Sequence, residues 1–317
     1  MNLMKYFLPG LAFAFFACTN ETEPVDNSGH AEAMSVRTEM VSSRNMITDN
    51  RFPDGAELGI TVVDNRNGVF TYVGLTDGYY NICYKARGTY PDQVWTAYEN
   101  PIYLSSTDGR AVAYYPYHKD CNDFTAIPIK ADDQTDYIYS GWYAPLNNLN
   151  SEATFKMNHA MAGIRIAVKR GSYTGQGKVS EMSLTSLTFG VKGVLDATNG
   201  TITGVTPAEG KAIVSTYMMK PVFQPYIVSD ADYTNTLLMV VPKSGVKGNI
   251  EISVMVDGRT YLVDGNFPQA LKSGSIYTFK LTLDNTALSI AGDVEVTPWL
   301  EDDSATTENN GVLKPNA

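Results

Sequence analysis

Short runs of alternating or uniformly apolar residues, separated by polar turns, make up the chain from about residue 58 onward. In the first half these candidate strands lie at 58–63, 69–73, 80–85, 102–104, 111–115, 124–129 and 137–143. In the second half they lie at 153–157, 164–168, 183–191, 201–202, 212–218, 236–241, 249–256, 259–263, 277–284 and 288–296. No helical period persists beyond two turns, so the pattern predicts an all-β sandwich or barrel.

Turn signals divide this pattern into two parts. The polar segment 145–151 is the best break between them, and it predicts an N-terminal β-sandwich at 52–148 and a C-terminal β-sandwich at 149–317. In the second part, Asp257 and Gly258 lie between two apolar runs, which predicts a tight two-residue hairpin.

An additional strand is predicted ahead of the first sandwich, at 33–41. Its apolar or hydroxyl-bearing positions, which alternate with polar ones, are Met34, Val36, Thr38 and Met40. Such alternation indicates a strand with one buried face. The polar loop after it, 42–50, contains Arg44, and Arg51 follows directly. An exposed basic loop of this kind is a preferred site for a trypsin-like protease.

The N-terminus has the features of an export signal. Lys5 precedes an apolar stretch at 6–17 that is too short to span a bilayer, and the stretch ends at Cys18. This predicts a lipoprotein signal peptide at 1–18, with a diacylglycerol on the thiol of Cys18; an ordinary cleaved signal is the alternative. Residues 19–51 then form a polar tether, the additional strand and the cleavage loop.

Composition excludes several classes of function. The chain has 317 residues and a formal net charge of −10, so it repels a nucleic-acid backbone. Its three cysteines form no CxxC pair and no metal-ligand cluster with histidine, so we predict no metal and no cofactor. Cys83 and Cys121 either pair in an oxidising compartment or remain buried free thiols.

No residues form a recognisable catalytic constellation. Of the three histidines, His30 lies in the tether, His118 lies beside a predicted surface turn, and His159 lies in an apolar segment typical of a hydrogen-bonded structural histidine. The glycine-rich segment 171–179 has the wrong spacing for a phosphate loop, and Asp230-Ala-Asp232 lacks the rest of a calcium loop. We therefore predict no catalytic residue.

Two other groups of side chains leave alternatives open. Asp132, Asp133 and Asp136 are either an acidic loop or, less simply, a glycosidase carboxylate pair. Trp95, Tyr98 and Trp142 either stack on sugars at the surface or pack in the core. The sugar-stacking alternative corresponds to a surface glycan-binding lipoprotein.

Several segments, in order along the chain, carry a resemblance to a known family. They are the signal ending at Cys18, Ser43-Arg44 with the segment 52–60, the aromatic-proline segment 113–117, the segment 155–164, and Val296-Thr297-Pro298-Trp299. With these features the sequence resembles the fimbrillin family, the subunits of Bacteroidales type V fimbriae. The resemblance covers nearly the whole chain.

The resemblance implies two tandem transthyretin-like antiparallel β-sandwich domains and a structural role without enzymatic activity. It implies an outer membrane lipoprotein precursor, anchored through Cys18, that becomes part of a surface-exposed fimbrium supporting adhesion. A trypsin-like protease would cut after Arg44, or alternatively after Arg51. Removal of the strand at 33–41 would open a groove for a donor strand from another fimbrial subunit. If this chain donates a strand in turn, 288–296 is the candidate; the alternative is a tip or anchor subunit that only accepts one.

Overall fold

The fold is described from a computed structural model. The structure describes residues 31–41, 46–47, 52–66, 71–72, 79–88, 92–208, 212–215, 225–244, 249–266 and 270–299. All regular elements in these residues are β-strands, which confirms the predicted all-β class. Across this same part of the chain, no helix has the length and apolar character needed to cross a membrane.

The strands of the first half, with the first two of the second half, are short and closely spaced. They are β1 (Glu32–Ala33), β2 (Ser35–Val41), β3 (Met46–Ile47), β4 (Glu57–Asp64), β5 (Tyr79–Arg87), β6 (Val94–Ala97), β7 (Tyr103–Leu104), β8 (Gly109–Tyr115), β9 (Ile127–Lys130), β10 (Ile138–Tyr139), β11 (Tyr143–Leu146), β12 (Glu152–His159) and β13 (Ala162–Arg170).

The remaining strands complete the second half. They are β14 (Lys178–Thr185), β15 (Gly190–Leu195), β16 (Ile202–Pro207), β17 (Ala212–Ser215), β18 (Tyr226–Ile227), β19 (Thr234–Val240), β20 (Lys243–Ser244), β21 (Asn249–Val256), β22 (Arg259–Asn266), β23 (Ala270–Leu271), β24 (Ser275–Leu283), β25 (Leu288–Ile290) and β26 (Glu295–Pro298).

The first sheet has nine strands, in the order β3-β2-β12-β10-β8-β4-β5-β6, with β11 also paired to β8. Alternate side chains of these strands point inward and form the first cluster, which includes Leu58, Ile60, Ala111 and Phe155. The sheet curls so that its ends approach each other, because Trp95 on β6 contacts Thr38 on β2.

Two five-stranded sheets build the second half. One has the order β19-β13-β24-β25, with β26 also on β24, and the other has the order β17-β14-β21-β22, with β18 also on β14. Inward side chains from both sheets form the second cluster, which includes Ile164, Leu184, Val254 and Phe279. Sharing one hydrophobic layer in this way is typical of a β-sandwich.

The chain passes between the two clusters on both sides of residue 148. Phe155 and Met157 of β12 pack in the first cluster, although they follow the predicted domain boundary. Phe124 and Ile129 pack in the second cluster, although they precede it, and β9 pairs with β15 in a three-stranded sheet β16-β15-β9. The assignment of 52–148 and 149–317 to separate domains remains a prediction, and each half lends a segment to the core of the other.

Several strand predictions need correction. The run 183–191 is two strands, because the Ser186 hydroxyl accepts a 3.2 Å hydrogen bond from the Thr188 N–H and turns the chain there. The run 288–296 is interrupted at Gly292, where φ is +86°, and 137–143 is interrupted at Gly141, where φ is +71°. The prediction missed β6 altogether, since four residues carry little periodic signal.

Other details of the fold agree with or refine the prediction. The Asp257-Gly258 hairpin is confirmed, with φ of +49° and +78° as a type I′ turn requires. Most strand pairs are antiparallel, but β2 pairs parallel to β12 and β13 pairs parallel to β24. The largely antiparallel pairing agrees with the antiparallel sandwiches that the resemblance implies. Both parallel pairs join strands distant in sequence, which no short turn connects.

Candidate functional site

The candidate site is the position of β2 in the first sheet. β2 lies between β12 and the two-residue β3, and its residues Ser35 to Met40 pair in order with Glu152 to Met157. Just before β2, the short β1 pairs with β7 and the Met34 N–H donates to the Ile102 carbonyl at 2.8 Å. The segment 32–41 therefore pairs with two different strands along its length, first with β7 and then with β12.

The inward face of β2 is buried along its whole length. The predicted positions Met34, Val36, Thr38 and Met40 are between 3% and 5% exposed, and the three apolar ones belong to the first cluster. Fully burying an apolar side chain contributes about 1.5–3 kcal/mol. The strand is therefore held mainly by this face.

Aromatic side chains form the wall that faces β2. The Trp95 indole N–H donates a buried hydrogen bond of 3.1 Å to the Thr38 hydroxyl. The ring of Phe52 meets the rings of Trp95 and Tyr115 edge-on, with centroids 5.2 Å and 5.1 Å away. Burial raises the pKa of Tyr115, and the nearby Asp136 carboxylate raises it further, so this hydroxyl stays protonated.

The outward face of β2 is polar and weakly held. Arg37 and Glu152 form an ion pair of 3.2 Å between β2 and β12, with side chains 71% and 52% exposed. Exposed ion pairs contribute about 0–1 kcal/mol. Each buried apolar side chain on the inward face therefore contributes more to the stability of β2 in the sheet than the ion pair on the outward face.

A second buried polar contact is formed by His159, the last residue of β12, which packs against Trp299 of the second cluster. The His159 ring nitrogen Nδ1 lies 2.8 Å and 3.0 Å from the two carboxylate oxygens of Asp136, and the Trp299 ring stacks on the imidazole at a centroid distance of 4.5 Å. The backbone N–H of Trp299 donates a hydrogen bond of 2.8 Å to the backbone carbonyl of Gly274. The prediction that His159 is a hydrogen-bonded structural histidine is confirmed.

Cys83 and Cys121 are free thiols, Cys83 half-buried and Cys121 buried, and they do not form the disulfide that the sequence left open. Burial raises the pKa of Cys83 to about 11, with Glu57 adding to the shift, so the thiol is protonated at neutral pH. Cys121 is buried, and its Sγ lies 3.4 Å from the Asp123 carbonyl oxygen. Cys83 therefore lacks the features of a reactive thiolate.

The aromatic residues do not form an exposed row for sugar stacking. Trp95 is buried against β2, so the suggestion that it is an exposed aromatic is wrong. Trp142 is half-buried between the Phe124 ring, 5.5 Å away edge-on, and the Arg110 guanidinium, 4.1 Å above it. Of the three residues only Tyr98 is exposed, with the Lys85 ammonium 3.8 Å from its ring centroid. Trp95 and Trp142 therefore do not support the glycan-binding alternative.

The acidic residues and the glycine-rich loop serve local structure. The Asp133 carboxylate accepts a hydrogen bond of 3.0 Å from the Tyr137 hydroxyl, and the Asp136 carboxylate pairs with the His159 ring. In the loop, the N–H groups of Gly177 and Lys178 donate to the Asp257 carboxylate at 2.8 Å and 2.9 Å, where a phosphate loop would leave them for a ligand. Within the described ranges, no three His, Cys, Asp or Glu side chains are grouped so as to hold a metal ion.

Three predicted site residues lie outside the described residues: Cys18, Arg44 and Arg51. Their predicted roles, lipidation and proteolytic cleavage, stay predictions. The role of Trp95 was missed by sequence reasoning. The alternation Val94-Trp95-Thr96-Ala97 is the one signal that indicates an inward tryptophan there.

Together these features define a class: a two-cluster β-sandwich protein whose first sheet is completed by a strand from the N-terminal segment. Solved structures share this fold. A proposed cell adhesion protein from Bacteroides uniformis is 18% identical, with a TM-score of 0.63 over 88% of this chain and 100% of that one. Another from Bacteroides ovatus is also 18% identical, with a TM-score of 0.66 over 87% and 100%. A fimbrial protein from Bacteroides vulgatus is 13% identical, with a TM-score of 0.50 over 84% and 99%.

The family follows from the sequence match. A model of the fimbrillin-like family matches residues 44–299, and the chain belongs to this family. No curated protein matches it at a significant level. Family membership supports a fimbrial subunit role and implies assembly with other fimbrial subunits and a cell-surface location, and it suggests a non-enzymatic role.

Proposed function

We propose that this chain is a structural subunit of a cell-surface fimbria that assembles by strand exchange and supports adhesion. It is made as an outer membrane lipoprotein precursor, anchored through a lipid on Cys18. A trypsin-like protease then cuts after Arg44, or alternatively after Arg51. A strand from a neighbouring subunit replaces β2.

One observation carries this proposal. β2 packs into the first cluster, yet the chain that connects it to β4 contains both Arg44 and Arg51. The apolar side chains of Val36 and Met40 on β2, and of Met34 just before it, are buried in the cluster, and the backbone of β2 pairs with β12 from Ser35 to Met40. The family match begins at residue 44, after β2. One cut in this segment would therefore leave β2 held only by non-covalent contacts.

The energetics favour replacement of β2 over simple loss. Without β2, the edge of β12 would expose unpaired backbone groups and the apolar side chains Phe155 and Met157 would lose their cover. A strand from a second molecule restores both the hydrogen bonds and the side-chain packing. Because such a contact joins different surfaces of successive molecules, its repetition builds an open filament.

The test combines limited trypsin digestion with N-terminal sequencing. The purified full chain is compared with an Arg44→Ala/Arg51→Ala variant and with Arg87→Ala, an exposed arginine elsewhere, as the matched control. We expect wild type and the Arg87 variant to gain a new N-terminus at Asn45 or Phe52 and then to form SDS-resistant ladders. The double variant should keep its N-terminus and stay monomeric.

The surface-assembled form, taken from cells, is sequenced in parallel. A mature N-terminus at Asn45 or Phe52 would agree with the proposal. A surface form that retains residues 31–41, or a cut protein that stays monomeric while β2 dissociates, would overturn it.

A further inference from the structure

The inward face of β2 is not uniformly apolar. Thr38, at the third inward position, is 4% exposed and lies between Val36 and Met40 on that face. Its hydroxyl accepts the hydrogen bond from Trp95, whose side chain belongs to the opposite end of the same sheet. The indole N–H of Trp95 is thus a buried donor that faces the site occupied by β2.

This donor makes a specific demand on any strand in the groove. Trp95 is 5% exposed, and its ring is enclosed on one side by Phe52. A buried N–H that loses its acceptor retains the full penalty of desolvation, whereas a matched one does not. An apolar side chain opposite Trp95 therefore weakens binding even when its shape fits.

The position of Thr38 also fixes the alignment of the strand. In the parallel pair with β12, Thr38 lies opposite Phe155. Side chains on one face of a strand recur every second residue, so a slip by two residues keeps the apolar face inward. Such a slip would place Val36 or Met40 against the Trp95 N–H, and the missing acceptor would penalise it.

We propose that Trp95 selects the strand that replaces β2. The favoured occupant is a strand of another subunit that runs parallel to β12 and carries, at alternate positions, two apolar side chains, a hydroxyl-bearing Thr or Ser, and a third apolar side chain. This inference rests on the proposed function, because it specifies the partner of the same groove.

The selection also bears on the candidate donor strand of this chain. Within 288–296, one set of alternate positions is Leu, Ile, Gly, Val, Val, and the other is Ser, Ala, Asp, Glu. Neither contains the favoured series. The segment 288–296 of a second copy is therefore a poor occupant of the groove.

The test uses the full chain with a specific protease site inserted in the 42–51 loop. After cleavage, synthetic peptides spanning residues 31–42 compete with the resident strand, and their dissociation constants are measured. The peptides carry the native sequence, Thr38→Ser, Thr38→Val, or Val36→Thr with Thr38→Val. The last peptide keeps a threonine but moves it by two positions, so it controls for composition.

For wild type we expect the native and Ser peptides to bind at least about tenfold more tightly than the Val and moved-hydroxyl peptides, which corresponds to about 1.4 kcal/mol. Against a Trp95→Phe variant, which lacks the N–H, the native and Val peptides should differ by less than about threefold. If that variant does not fold, the four peptides on wild type are sufficient to decide.

The outcomes separate the two proposals. If the native peptide neither displaces the resident strand nor binds to the groove, the proposed strand exchange is wrong, and so is the proposed selection by Trp95. If the native peptide binds but the Val peptide binds equally well to wild type, the proposed function stands and the role of Trp95 is overturned.

Discussion

β2 and the C-terminal edge formed by β25 and β26 complete their sheets in different ways. β2 is continuous, and Val36, Thr38 and Met40 on its inward face are buried, as is Met34 just before it. The last edge, β25 with β26, is interrupted at Gly292, and its Val296 side chain is 52% exposed. It is held at its ends, where Leu288 and Trp299 are buried.

The difference bears on the proposed strand exchange. A continuous strand with a regular inward face leaves a groove that another strand of the same pattern can fill. An interrupted edge leaves two shorter sites, and its withdrawal would also uncover the imidazole of His159 under Trp299. The N-terminal strand is therefore suited to replacement, and the C-terminal edge is suited to staying in place.

The largest expected effect is that of a charge on the inward face of β2. Val36→Asp places a carboxylate in the first cluster without a cationic partner, and we expect it to lower the free energy of unfolding by about 3–5 kcal/mol, measured by urea denaturation. The control is Glu39→Gln on the outward face, with a change under about 0.5 kcal/mol. Equal stability of the two variants would contradict the packing of β2.

The next effect concerns the C-terminal edge. Trp299→Ala removes the ring that stacks on His159, and we expect a loss of about 2–4 kcal/mol in thermal denaturation, somewhat below the usual range for a fully buried tryptophan. Trp299→Phe keeps an aromatic ring there and should lose less than half as much. Val296→Ala, at an exposed position of the same edge, should be close to neutral; a large effect there would remove the distinction between its ends and its middle.

A smaller, pH-dependent effect is expected at the loop that joins β13 to β14. Hydrogen bonds from the Gly177 and Lys178 N–H groups lower the pKa of Asp257 below its ordinary value of 3.8, with Gly177 the larger cause. A lowered pKa in the folded state means that the stabilisation is present above pH 3.8 and is lost as the pH falls through the folded value.

Hydrogen exchange followed by mass spectrometry measures this effect. Protection of the Gly177 and Lys178 amides should fall as the pH drops below 3.8, beyond the change of the intrinsic exchange rate. An Asp257→Asn variant should show no such step, because it has no proton to gain. A step of the same size in both proteins would assign it to another group.

The smallest effect is expected for the outward ion pair of β2. Arg37→Ala removes its contact with Glu152, and since both side chains are exposed the change in unfolding free energy should stay below about 0.5 kcal/mol. A double-mutant cycle with Glu152→Ala measures the coupling. A coupling comparable to the effect of Val36→Asp would show that the outward face also holds the strand.

Local patterns predicted much of this fold. The alternation at Met34, Val36, Thr38 and Met40 was sufficient to predict both the strand and its buried face, and Asp257-Gly258 to predict the hairpin. Each depends on neighbours in sequence, where side-chain period and turn conformation act directly.

The remainder depends on contacts between distant residues. Nothing near Thr38 indicates that its hydroxyl meets the indole of Trp95, which lies in a strand too short to predict. The run 183–191 contains a turn that its apolar pattern does not indicate, because the turn depends on the hydrogen bond from the Thr188 N–H to the Ser186 hydroxyl. The exchange of segments between the clusters likewise follows from packing, which a single sequence does not encode in a periodic form.

The parallel pairing of β2 with β12 has a consequence for folding. β4 to β11 are all synthesised after β2 and before β12. Contacts between residues far apart along the chain form late, because closing the intervening loop costs entropy. The earliest of these segments to leave the ribosome therefore docks last, onto a sheet that is otherwise almost finished.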